Sequence, residues 1–388
     1  MERVSEAHLA EYNESPDVVV SAPGRFHLIG EHTWYFKDKT LSMAIDMPVY
    51  LAASRRDDSS LRFYFHQIDE RKKGNVSTVK FRKEDRWANA LKCVIDGFTS
   101  CGFTCKGMNI TIYSDIIPSA GFGITTAIKV ATALVCRELF NSGCSDAQLL
   151  QAIERGNKYF LKQRNFIADI YTAMYAKENT VLLTDHAKNS YLHIPFDIQD
   201  HTILLTDTRV PRISVWPEDT IVTAENFLLM AELKIQKKDH WVYEDSVVEI
   251  SDILSNTAED TRRRLICLMH EHQHILDALN GLVNDKFPMF ARAVNRSHEG
   301  MRDDYNISCP EIDWLAKRTL EFEVTTSRDV VNCSRITGKG FARCLYSILK
   351  TEQVPEYYKK LVEFERIFGF HPETYEVKPA SGAKILKA

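Results

Sequence analysis

The chain has 388 residues, 44% hydrophobic and 26% charged, with a formal net charge of −4. That length suits two closely associated cores in an ordinary globular composition. The weak negative charge excludes an electrostatic footprint for nucleic acid, and no apolar run reaches the ~20 residues that span a bilayer.

The opening residues, MERVSEAHLAEYNESPD, are polar and hold no apolar stretch of a secretory signal. Val18-Val19-Val20 then starts a buried strand that stops at Ala22-Pro23-Gly24. Pro48-Val49-Tyr50-Leu51-Ala52, Leu61-Arg62-Phe63-Tyr64-Phe65 and Ser77-Thr78-Val79-Lys80-Phe81 read as antiparallel strands separated by polar turns. Residues 86–101 read as a helix, 108–113 as a strand, and a Gly-containing loop at 118–123 leads into a helix over 125–140. Two helical stretches cover 146–175, strands follow at 180–184 and 202–206, and 222–285 has helical spacing. Arg262-Arg263-Arg264 reads as a solvated helix face. The last hundred residues mix helices with short strands, there is no repeat, and the boundary near 200 is soft. The class is α+β. Nine scattered cysteines without a CxxC pair predict reduced thiols in the cytoplasm.

Residues 24–35, GRFHLIGEHTWY, bring Arg25, Glu31 and His32 together at a strand end. Arg25 offers a fork of donors, Glu31 accepts two hydrogen bonds, and His32 donates and accepts. That set suits a polyhydroxylated ligand and a developing negative charge, and equally a loop of solvated polar residues. The stretch resembles the galactokinase signature, Gly-Arg-Val-Asn-Leu-Ile-Gly-Glu-His-Thr-Asp-Tyr, at nine of twelve positions. Arg86-Trp87-Ala88-Asn89, the stretch HEGMRDDYNISCPEIDWL at 298–315, the stretch CSRITGKGFARC at 333–344 and the ending Lys378-Pro379-Ala380-Ser381-Gly382-Ala383 resemble the same family, in order and spacing.

The resemblance runs over residues 18–384 and implies the GHMP kinase fold, shared with homoserine, mevalonate and phosphomevalonate kinases. It implies a ribosomal-protein-S5-domain-2-like N-terminal half over 1–200 and a ferredoxin-like C-terminal half over 201–388, with a nucleotide site between them. It also implies an ATP-dependent sugar kinase using ATP and Mg²⁺, monomeric and cytoplasmic, with no nucleic-acid or membrane partner. Trp87 would lie against the adenine. Pro118-Ser119-Ala120-Gly121-Phe122-Gly123-Ile124-Thr125-Thr126-Ala127 stands where the family has its phosphate loop. Backbone N–H groups around Gly121 and Gly123 would hold phosphate there, and Thr125 or Thr126 would reach the metal. Asp169, in Asn165-Phe166-Ile167-Ala168-Asp169, matches the catalytic aspartate, which accepts the proton of the attacking hydroxyl. Arg25 would hold Asp169 as a carboxylate and stabilise the phosphoryl in flight, and Glu31 and His32 would grip the sugar.

The departures fall in the pockets. Trp34 replaces the aspartate that holds two galactose hydroxyls, and Phe166 replaces a glycine that lets the sugar approach the backbone. Asp219 stands where an aromatic wall is expected. Phe122 puts a ring in the phosphate loop, and Ala342 and Arg343 replace two glycines of the third motif, which would crowd it. Two readings therefore stay open: a kinase acting on galactose or a related sugar, and a catalytically silent relative that binds a ligand. A third, a zinc hydrolase built on His270-Glu271-His272-Gln273-His274 with Glu299, lacks a second metal motif. Those histidines read better as polar surface on an amphipathic helix.

Overall fold

The computed structural model describes residues 1–33, 37–116, 121–163, 166–198, 200–211, 259–322, 330–338 and 343–387. Packing divides them into two units. The first comprises Met1–Phe26, Met43–Glu178 and Pro379–Ala388, the second His27–Ser42 and Asn179–Lys378. Neither is continuous in sequence, because strands β1 (Val18–Ile29) and β2 (Lys39–Arg55) contribute residues to both. The halves expected from the sequence, 1–200 and 201–388, follow chain order instead.

In the first unit, helix α1 (Glu2–Tyr12) buries Val4, Ala7 and His8, and Asn13 ends it in the left-handed conformation. Its polar sequence hides this face, so the helix was not expected. The strands β3 (Ser60–Phe65), β4 (Glu70–Asn75), β5 (Met108–Ser114) and β12 (Lys384–Lys387) join β1 and β2 in the order β12-β1-β2-β5-β3-β4. The pair β2–β5 is antiparallel, in register from Val49↔Ser114 to Arg55↔Met108, and β3–β5 is parallel. Residues 77–81, expected as a strand, instead begin within a short helical turn, Val76–Thr78, capped by the Asn75 side chain, and continue as irregular chain. The Asx turn supplies the bond a ladder would otherwise offer.

Helix α2 (Ala88–Ser100) packs on α3 (Ile124–Phe140) and α4 (Asp146–Arg155). Ser145 and Gln148 cap α4 reciprocally, and the helix widens into a π turn, Gly156–Phe160, before α5 (Ile167–Tyr175). From Ala127 to Cys136 every residue of α3 is buried, so this is an interior helix rather than an amphipathic one.

In the second unit, the hairpin of β6 (Thr180–Asp185) and β7 (Ser190–Pro195) pairs with Lys39–Ser42 of β2. The strands β8 (His201–Asp207), β9 (Cys333–Ile336), β10 (Cys344–Lys350) and β11 (Glu373–Val377) form an antiparallel sheet ordered β11-β8-β10-β9. Helices α6 (Glu259–Val283), α7 (Phe287–Asp303), α8 (Pro310–Leu320) and α9 (Val354–Phe368) complete it. Leu204, Leu265, Leu315, Leu345 and Phe364 lie in its core. Each unit thus combines strands and helices, as an α+β chain requires. Among the described residues no helix is long and apolar enough to cross a membrane, and all nine cysteines are free thiols.

Candidate active site

Arg25 lies on β1 where the strand passes the Gly-containing loop. Its N–H donates to Phe122 O at 2.9 Å, and Nη1 donates to Gly121 O at 2.8 Å. Nη2 donates to Asp169 Oδ2 in an ion pair whose side chains are only 12% and 16% exposed. Gly123 takes φ +80° at the start of α3, where a Cβ would lie 3.1 Å from the Arg25 side chain. Glycine is required there for both conformation and space. It also brings no capping side chain, which leaves the first-turn N–H groups of α3 for an anion. Thr126 Oγ1 reaches Asp169 Oδ2 at 3.5 Å, while the Thr125 side chain is exposed.

Asp169 itself is fixed by the start of α5. Phe166, extended at the N-cap, accepts from the Asp169 N–H at 3.1 Å, and the carboxylate sits in the first turn, where the helix dipole favours it. The Phe122 ring is buried at 1% exposure, so it joins the interior instead of filling the loop as expected. Trp87 bonds elsewhere: its Nε1 donates to Glu70 at 2.9 Å and its ring meets Phe65 edge-on. The first unit therefore gathers Arg25, Gly121, Gly123, Thr126 and Asp169, with Phe166 three residues from the carboxylate.

Glu31 and His32 belong to the second unit and are buried there. Arg335, fully buried on β9, donates from Nη1 to Glu31 Oε1 at 2.7 Å and faces Glu271 Oε1 at 3.2 Å. Its Nε donates to Ser297 Oγ at 2.7 Å, and Glu271 Oε1 accepts the Gly30 N–H at 3.1 Å. Burial works to raise the Glu31 pKa, but the Arg335 charge, aided by His32, leaves it below the usual carboxylate range. Glu31 Oε2 is buried without a hydrogen-bond partner. The His32 ring lies 5.0 Å from Tyr305, within the HEGMRDDYNISCPEIDWL stretch.

Sequence reasoning missed this network. Arg335 sits inside the third motif, and Glu271 inside the zinc-like stretch. Glu271 is buried on Arg335, not poised as a metal's base, and His272 pairs with Asp38 at 2.7 Å. His270, His272 and His274 are half-buried rather than solvated, and Arg264, also expected to be solvated, is buried. Arg343 does not crowd the third motif: at φ 148° its guanidinium turns to fully buried Asp207 at 2.9 Å. Trp34, Asp219 and Ala342 lie outside the described residues.

The galactokinase galactose-binding signature matches residues 6–55, and the GHMP kinases N terminal domain matches residues 88–177. A Treponema pallidum (strain Nichols) protein named "Putative galactokinase" is 40% identical over 386 residues, covering 100% of this chain and 97% of its own. The chain belongs to the galactokinase family. A Clostridium acetobutylicum galactokinase is 27% identical, over 95% of this chain and 94% of its own. Among solved structures, Lactococcus lactis galactokinase complexed with galactose superposes at TM-score 0.86 with 19% identity, covering 99% of both chains. Methanococcus jannaschii mevalonate kinase superposes at 0.62 with 13% identity, covering 94% and 99%. The fold is thus that of the GHMP kinases, and this galactokinase relative is an ATP-dependent sugar kinase by family.

Proposed function

We propose that this chain transfers the γ-phosphoryl of ATP to the anomeric hydroxyl of galactose or a related sugar. The observation that carries the reading is the Arg25–Asp169 pair, set against the Gly121 carbonyl and the uncapped start of α3. Phosphoryl transfer draws its rate from positioning and charge stabilisation, and this cluster offers both. Asp169 orients the attacking hydroxyl and accepts its proton, and Arg25 steadies the charge on the phosphoryl in flight. The N–H groups after Gly123 hold the triphosphate, and Trp87 serves the adenine. Glu31, whose Oε2 is without a partner, and His32 grip the sugar, with Phe166, Trp34 and Asp219 shaping its pocket.

The exposed Thr125 hydroxyl and the half-buried Thr126 hydroxyl fit a Mg²⁺ ion carried in by the nucleotide. When bound, that ion neutralises phosphate charge. We further read the chain as a cytoplasmic monomer of two domains, 1–200 and 201–388; the free thiols suit that compartment.

A sugar panel with ATP and Mg²⁺, followed by ADP release and phosphorus NMR, tests the reading. A sugar 1-phosphate is expected from at least one hexose. Trp34→Asp should raise galactose kcat/KM at least about tenfold, because it returns an acceptor for two hydroxyls. Nucleotide binding without transfer to any sugar would leave a silent ligand-binding relative instead.

A further inference from the structure

Lys129 is the anomaly of α3. It is 6% exposed in a stretch otherwise built of Ala, Ile, Val and Thr. Its Nζ donates to Asn157 Oδ1 at 2.5 Å, and the same amide oxygen accepts from Cys93 Sγ at 3.6 Å. A buried ammonium on a neutral amide is an expensive arrangement unless a carboxylate also feels its charge. That carboxylate is Asp169: burial lowers the Lys129 pKa, while Cys93 and Asp169 pull it back up. Lys129 follows Thr125 and Thr126 by four and three residues, which puts all three on one helix face. The ammonium therefore lies one turn below the hydroxyls that head the phosphate loop, on the face that turns Thr126 to Asp169.

We infer that Lys129 is a built-in cation of the transfer site, a positioning residue acting through Asp169 in the place of a protein-held divalent ion. The only metal in the reaction is then the one the nucleotide brings. The inference rests on the phosphoryl-transfer reading. A resident Mg²⁺ asks for one or two carboxylates of the protein. The carboxylate at Thr126 already answers to two cations, Arg25 and Lys129. Among the described residues no group of three or more His, Cys, Asp or Glu side chains is arranged to hold a metal. A further divalent charge there meets repulsion, whereas a triphosphate meets attraction. Lys129 cannot leave or exchange, so the compensation it gives Asp169 is independent of free metal.

Two measurements test this. Mn²⁺ binding to the nucleotide-free protein, followed by electron paramagnetic resonance, should show no stoichiometric site up to about 1 mM, the range of weak carboxylate sites. Lys129→Glu should create one site per chain. One Mn²⁺ per chain on the nucleotide-free parent would overturn the inference, whether or not the glutamate variant folds. In kinetics, the parent rate should be flat in free Mg²⁺ once the Mg–nucleotide complex saturates. Lys129→Gln should lower kcat about 100-fold, the scale of one lost electrostatic group, with nucleotide KM nearly unchanged. A parent rate that climbs with free Mg²⁺, or a glutamine variant at the parent kcat, also overturns it. If the parent transfers phosphate to no sugar, the kinase reading has failed and the Mn²⁺ measurement alone decides.

Discussion

Asp169→Asn isolates the carboxylate with little change of shape. The amide cannot take a proton from the sugar hydroxyl, and it leaves the Arg25 guanidinium without its anion. We expect kcat to fall about 10³-fold, within the range for a lost general base, while ATP affinity measured calorimetrically changes little. Parent-like turnover would remove Asp169 from the mechanism. Residues 25 and 169 are far apart in sequence, so no local pattern pairs them; family resemblance did. It could not say what becomes of substituted positions. Phe122 sinks into the interior, and Arg343 finds Asp207 on a strand 136 residues away. Those outcomes depend on partners that only the fold supplies. Lys129 was equally silent, since a lysine in an apolar helix window reads as an exposed exception.

At the scale of elements, periodicity served where one face or a whole strand is buried. It gave β5, α3 and the strands β6 and β8 nearly to the residue. It failed where polar residues carry the packing. Helix α1 docks through His8, which bonds Thr111 and Ser54 at 3.0 Å each. The same failure hid the knot of the second unit, where Arg335 of β9 joins Glu31, Glu271 of α6 and Ser297 of α7. Arg335→Met should leave two buried carboxylates without their cation. Removing one member of such a buried set costs roughly 3–5 kcal/mol, which urea unfolding would read directly. A variant as stable as the parent would mean that His32 and His27 already compensate Glu31. The Gly30 turn depends on the same group: its φ is +87°, a Cβ would meet Lys39 O at 2.5 Å, and its N–H is bonded to Glu271.

Across the whole molecule, each unit carries a histidine kept neutral by burial, and both weaken the fold in acid. Burial pushes His8 of the first unit down to about 4. Burial, followed by the charges of Arg335 and Arg302, pushes His298 of the second unit down to about 3. Unfolded histidine titrates near 6.5. Both folded values are depressed, so the stability these groups contribute is complete above pH 6.5 and is lost as pH falls toward the folded values. In that window the unfolded chain takes up protons the native chain refuses. The loss is about 1.4 kcal/mol per histidine for each pH unit below 6.5, or roughly 2 kcal/mol each at pH 5. Glu31, whose folded pKa is also lowered, adds its share as pH falls through the ordinary carboxylate range and below it. Urea midpoints should therefore fall as pH drops from 7.5 to 5. His8→Gln keeps hydrogen-bonding capacity toward Thr111 and Ser54 but takes up no proton. It should flatten the pH dependence of the first unit, read by amide hydrogen exchange in β2 and β5, and leave that of β8 and β10 as it was. If exchange in β5 stays as acid-sensitive in the variant as in the parent, His8 is not the group that acid attacks in that unit.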